Sequence, residues 1–169
     1  MDNNVSKTLM PEEKYRTVCG NIFRTSGILA FVLTVAEIFL IIGFIMQITD
    51  PADLPALMRT GFLMYYIGLS VVILLYLQNI FGELRQSETP FVYGVAGKMK
   101  ALSGILVSGG ALGNVFPLAG LIFHIEGSEG FMIAYAFSGF LMIVGAAFGA
   151  FTFVFGHGCK LQRESDETL

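Results

Sequence analysis

The sequence predicts an all-α integral membrane protein: four transmembrane helices in an antiparallel up-down bundle, with both termini in the cytoplasm. Three observations carry that expectation. The runs 27–48, 61–82, 101–123 and 130–156 are apolar and hold a single formal charge, Glu37. Each is long enough for a helix to cross about 30 Å of hydrocarbon, which takes roughly 20 apolar residues. Nine of the ten Lys and Arg residues fall on one side of the membrane those runs imply, the bias that marks a cytoplasmic face. Composition agrees, with 54% hydrophobic and 14% charged residues against about 25% charged in soluble globular chains.

The chain reads as one membrane domain over 1–169, with a cytoplasmic arm at 1–26, three connections and a cytoplasmic tail at 157–169. None of the polar segments can bury a core of its own. A soluble catalytic or DNA-binding domain is therefore excluded, and no direct nucleic-acid binding is expected.

In the arm, Pro11-Glu12-Glu13 favours a helix start, and Val18, Ile22 and Phe23 form a narrow apolar stripe. The arm is expected to lie along the inner surface before turning into the first span. Lys7, Lys14, Arg16 and Arg24 precede that span and hold its start inside. Its length, its central Glu37 and the mixed charge of the arm distinguish it from a cleaved signal peptide. Asp50-Pro51 supplies a cap and a proline at a first helical position, so a short helix over 51–58 is expected on the outer surface, where Arg59 also falls. Arg85 follows the second span. Thr89-Pro90 repeats the device inside and predicts an interfacial helix over 90–100, with Phe91 and Val95 one turn apart and Lys98 and Lys100 at its far end. The short connection at 124–130 makes spans three and four an antiparallel hairpin.

Helix association in lipid depends on small residues that let backbones approach. Gly109 and Gly113 on span three, and Gly145 and Gly149 on span four, have the four-residue spacing this requires. They serve either to seat these two spans within one chain or to form a homodimer face. Spans one and two are bulkier and are expected to face lipid.

Glu37 is the strongest pointer to chemistry, because an ionised carboxylate near mid-span costs at least a few kcal/mol. It is expected to lie against protein in its neutral form, with Asn114, Ser70, Tyr66 and Ser138 as candidate partners at comparable depth. It reads either as an interhelical hydrogen-bond peg or as a group that responds to protons, ions or a ligand. One carboxylate with no charged intramembrane partner makes a poor proton path. Pro117 predicts a kink in span three, with Asn114 near the freed carbonyls. His124 and His157 fall at opposite faces, and Cys19 and Cys159 belong to no metal or redox motif, so no metal is expected. The chain has no phosphate-binding glycine loop, HExxH, GxSxG or paired-aspartate pattern. The expectation is a protein that is not an enzyme and carries no cofactor.

The ending Gly158-Cys159-Lys160-Leu161-Gln162-Arg163-Glu164-Ser165-Asp166-Glu167-Thr168-Leu169 closely resembles that of the bacterial four-span membrane family catalogued as domain of unknown function 2975, with its "G-x-x-L-Q-x-E-x-D-E-T-L" signature. Thr89-Pro90-Phe91 and the stretch from Lys98 to Gly104 are similar to the family's central connection. The chain departs from it at Val92-Tyr93-Gly94-Val95-Ala96-Gly97, where the family is more basic and polar.

The resemblance implies a multi-pass protein of the bacterial inner membrane, encoded beside a small helix-turn-helix regulator. A regulatory or sensory role follows, in which the cytoplasmic face holds that regulator through Phe91, Lys98, Lys100, Leu161, Gln162, Asp166 and Glu167. The mixed, mostly acidic tail suits a basic DNA-binding partner. The alternatives are a small channel or transporter subunit acting as an oligomer, and a structural subunit of a membrane complex. Beyond these, the expected partners are the lipid bilayer and a second copy of the chain.

Overall fold

The structure, a computed structural model, describes residues 12–49, 54–87, 93–122 and 131–167. They form helices α1 (Glu12–Thr49), α2 (Leu54–Gln86), α3 (Tyr93–Gly113), α4 (Val115–Ile122) and α5 (Phe131–Glu167). Among the described residues, four helical stretches are long and apolar enough to cross a membrane: Glu13–Ile48, Ala56–Gln86, Gly94–Ile122 and Tyr135–Ser165. That is the character of a multi-pass membrane protein.

The helices run further than the apolar runs. α1 has 38 residues and at 1.5 Å per residue extends about 57 Å, so arm and first span are one unbroken helix and the expected turn between them does not occur. No proline interrupts it, and its polar groups bond locally: Thr17 Oγ1 donates to Glu13 O at 2.7 Å and Ser26 Oγ to Ile22 O at 2.8 Å. The separate outer helix expected over 51–58 is also absent from the described part of that segment, because Leu54 opens a helix continuous to Gln86. Pro55 lies in its first turn, where a missing N–H forfeits no helical bond. Residues 50–53 lie outside the described residues.

The helix expected over 90–100 is likewise continuous with span three, from Tyr93 onward. Its start is clamped to α2. Lys98 Nζ lies 2.7 Å from Glu83 Oε2, and a Cβ on Gly94 would collide with the same carboxylate. Span three breaks near its middle, as Pro117 predicts. Proline has no N–H for the Gly113 carbonyl and its ring crowds that carbonyl. Asn114 forms a turn, its N–H donating to Ala111 O at 3.3 Å, and Leu118 N–H returns to Asn114 O at 3.1 Å.

α1 packs along α2, α3 packs along α5, and α2 joins the two pairs through α3. The buried core lies where α2, α3 and α5 meet, at Tyr66, Ile80, Val95, Leu102, Leu106 and Leu141. α1 presents Ile28, Phe31, Phe39 and Met46 outward, as expected of a lipid-facing span. α2 likewise presents Leu63, Val72 and Leu75 outward, and its position between α1 and α3 turns Tyr66 and Ile80 inward.

Close approach of α3 and α5 rests on glycine. A Cβ on Gly145 would stand 2.8 Å from Leu106 Cβ and 2.9 Å from the Val107 nitrogen, and one on Gly110 would stand 2.7 Å from the Ser138 carbonyl. Gly149 faces Ser103 Oγ at 3.0 Å. Gly109 instead faces α2, with Leu69 at 2.8 Å, and Gly113 meets both Tyr66 of α2 and Ser138 of α5. All these glycines are thus occupied within the chain. Gly145→Ala is expected to lower stability by about 1–3 kcal/mol through overpacking, measured by thermal unfolding in detergent. Gly156→Ala, with no atom within 4 Å of its Cβ position, is expected to be neutral or to raise stability by about 0.5–1 kcal/mol.

Candidate functional site

The polar side chains inside the spans divide into two seams. In the first, where α2, α3 and α5 meet, hydrogen bonds are made. Tyr65 Oη donates to Gly109 O at 2.6 Å, and Ser103 Oγ to Gly145 O at 2.7 Å. The Tyr66 hydroxyl bonds the Ser138 hydroxyl across the gap left by Gly113. Ser138 is fully buried, and the Tyr66 ring is held between Phe62 and Phe137, with centroids at 4.6 and 5.2 Å. Interhelical hydrogen bonds of this kind contribute on average about 0.6 kcal/mol in a membrane. This seam is structural glue.

The second seam lies between α1 and α2. A Cβ on Gly27 would stand 2.7 Å from the Gln78 amide nitrogen, and one on Gly68 would stand 3.4 Å from Glu37 Oε1. Glu37 Oε2 is buried and has no hydrogen-bond partner among the described residues, and the same holds for Gln47 Oε1 on α1. The intramembrane residues singled out from the sequence are therefore not one site. Tyr66 and Ser138 are joined. Ser70 turns back on its own helix, donating to Tyr66 O at 2.7 Å. Asn114 sits at the α3/α4 break with Oδ1 buried and unpartnered among the described residues. Glu37 faces Gly68. Gly68 is not among the residues expected from the sequence, and its only signal there is a glycine between Ile67 and Leu69 at the depth of a lone carboxyl.

At the basic end of the bundle the expected docking residues differ in availability. Lys98 is engaged with Glu83. Lys100 is exposed, and Leu161 is 65% exposed on the last turns of α5. Arg163 Nε lies 2.8 Å from Glu167 Oε1, and Lys160 Nζ lies 3.8 Å from Glu164 Oε1. Much of the tail's acidity is thus matched within α5, by exposed pairs that typically contribute about 0.3–0.5 kcal/mol each and exchange readily for a partner's charges. Phe91 and the side chains of Gln162 and Asp166 lie outside the described residues, as does His124.

Comparison of the chain with protein-family models, with curated proteins and with solved structures gives no match. The chemistry of the site therefore rests on the residues themselves. A buried carboxyl oxygen with no partner costs stability rather than adding it. Glu37→Met, similar in volume and apolar, is expected to raise stability by about 1 kcal/mol or more, measured by thermal unfolding of reconstituted protein. A loss of stability would mean that Oε2 is bonded in the membrane and that Glu37 is a peg.

Proposed function

We propose that the protein is a regulatory or sensory protein of the bacterial inner membrane, not an enzyme, that holds a small helix-turn-helix regulator at its cytoplasmic face. In this reading the four spans are antiparallel and both termini are cytoplasmic. The register of contacts supports the arrangement: Gly20 meets Arg85, Gly27 meets Gln78, and Glu37 meets Gly68, while Ser103 meets Gly149 and Gly110 meets Met142. The start of α1, the end of α2, the start of α3 and the end of α5 then share one end of the bundle, where eight Lys and Arg residues gather between Lys14 and Arg163.

The observation that carries the reading is α5. It continues as one helix from Phe131 to Glu167, about 55 Å at 1.5 Å per residue, and so reaches past the hydrocarbon with Leu161 exposed between loosely paired charges. An apolar side chain amid exchangeable ion pairs is a suitable anchor for a partner helix. The similarity of this same segment to the family ending makes the neighbouring regulator the partner of choice. Sensing is assigned to the α1/α2 seam, where α1 leans on one neighbour and carries Glu37.

The oligomeric channel or transporter reading draws on one observation, a Glu37 Oε2 with no hydrogen-bond partner among the described residues, on a helix with a broad exposed apolar face. A second copy packed on α1 would be needed to enclose a path. A structural role in a larger complex draws on the same exposed face.

The test is co-purification of the tagged full chain with the neighbouring regulator. Retention by the full chain, and a loss of at least about tenfold on removing 160–169, is the expected result. Absence of association in both cases would overturn the proposal.

A further inference from the structure

At the basic end of the α1/α2 pair two adjoining clefts open, of about 500 and 380 Å³. Arg16 and Arg85 line both, Phe23, Gly82 and Gln86 complete the first, and Arg24 joins the second. Among the described residues no carboxylate lines either cleft. Glu83, the acid nearest Arg85 in sequence, is turned toward α3 by Lys98 at 2.7 Å. Arg24 and Arg85 make no ion pair among the described residues.

The space is made by glycine. Gly20 is buried beneath the Arg85 side chain, whose Nε and Cζ lie 3.6 and 3.9 Å from the position of a Gly20 Cβ. On α2, Gly82 lets the Phe23 ring come within 3.2 Å of where its own Cβ would stand. The Arg85 guanidinium is therefore laid against the α1 backbone, with Arg16 and Arg24 one turn to either side of Gly20 on the same helix face. Arg24 and Arg85 thus bring two guanidinium groups without an ion pair among the described residues into one small volume, with Arg16 beside them. A planar guanidinium matches phosphate oxygens in a bidentate fork. The clefts also lie at the depth of lipid headgroups, since the apolar run of α1 begins at Gly27, one turn beyond Phe23.

We propose that these clefts bind a phosphate group, through Arg24 and Arg85 with Arg16 at their edge, at the membrane surface. The phosphate belongs either to the headgroup of an anionic lipid or to a soluble phosphate. The inference does not depend on the regulator partner.

The full chain is placed in nanodiscs of phosphatidylcholine, and its thermal midpoint is followed as phosphatidylglycerol is mixed into the disc or as inorganic phosphate is added to the buffer. A rise with either probe is expected, and the probe that acts identifies the source. Arg24→Gln/Arg85→Gln is expected to raise the probe concentration needed by about tenfold or more. Arg24→Gln alone, at an exposed position, is expected to raise it about threefold and serves if the double variant does not fold. Lys160→Gln/Arg163→Gln removes the same number of charges from the tail and is expected to change it less than twofold. No rise with either probe, or equal weakening in the tail variant, would overturn the proposal.

Discussion

Within a bilayer, apolar side chains gain nothing by leaving lipid for protein, so helices are held by how closely their backbones can approach. In this chain that approach is concentrated on one face of α3. Gly110 and Gly113 admit α5, Gly145 and Gly149 admit α3 in return, and Ser103 and Ser138 use the resulting proximity for hydrogen bonds. α2 is then laid into the groove of that pair through Gly109, Tyr65 and Tyr66. The Pro117 break allows this: it ends α3 at Gly113, where two neighbours converge.

α1 stands outside that arrangement. It meets α2 along a seam whose polar groups are incompletely satisfied among the described residues, and its other face is apolar and exposed. A helix held by one neighbour has a lower free-energy cost of displacement than one locked between two. Glu37 on that helix lies opposite a glycine, and its Oε2 has no hydrogen-bond partner among the described residues, which is why the proposed sensing role is assigned to the α1/α2 seam. The same helix carries Arg16 and Arg24, which line the clefts beside Arg85.

Much of the fold was legible because lipid imposes a simple rule on sequence. Span length and Pro117 each correspond to a single physical cost, and the helices and the break lie where those costs put them. Helix continuity was less legible. Pro11, Pro51 and Pro90 predict helix starts, but nothing in a sequence says whether a polar turn continues into the apolar one, and over the described residues of α1, α2 and α3 it does. The polar site was least legible. Depth along a span can be read from residue number, but the angle around it cannot, so Tyr66 and Ser138 proved to be neighbours while Glu37, at similar depth, belongs to another seam. Gly68 and Gly20 are not legible because a glycine that makes room for a polar side chain has no signature distinct from one that seats a helix.

The functional account depends on which side of the membrane the basic end occupies, because the helix end bearing Leu161, the Lys98 clamp and the arginine clefts all belong to it. The most direct measurement is labelling of single cysteines with a membrane-impermeant thiol reagent in intact cells, in a chain with Cys19 and Cys159 replaced by serine. Arg59→Cys should label in intact cells, and Leu161→Cys only after the membrane is opened. Labelling of Leu161→Cys in intact cells, with Arg59→Cys protected, would contradict the orientation and with it the assignment of a cytoplasmic partner.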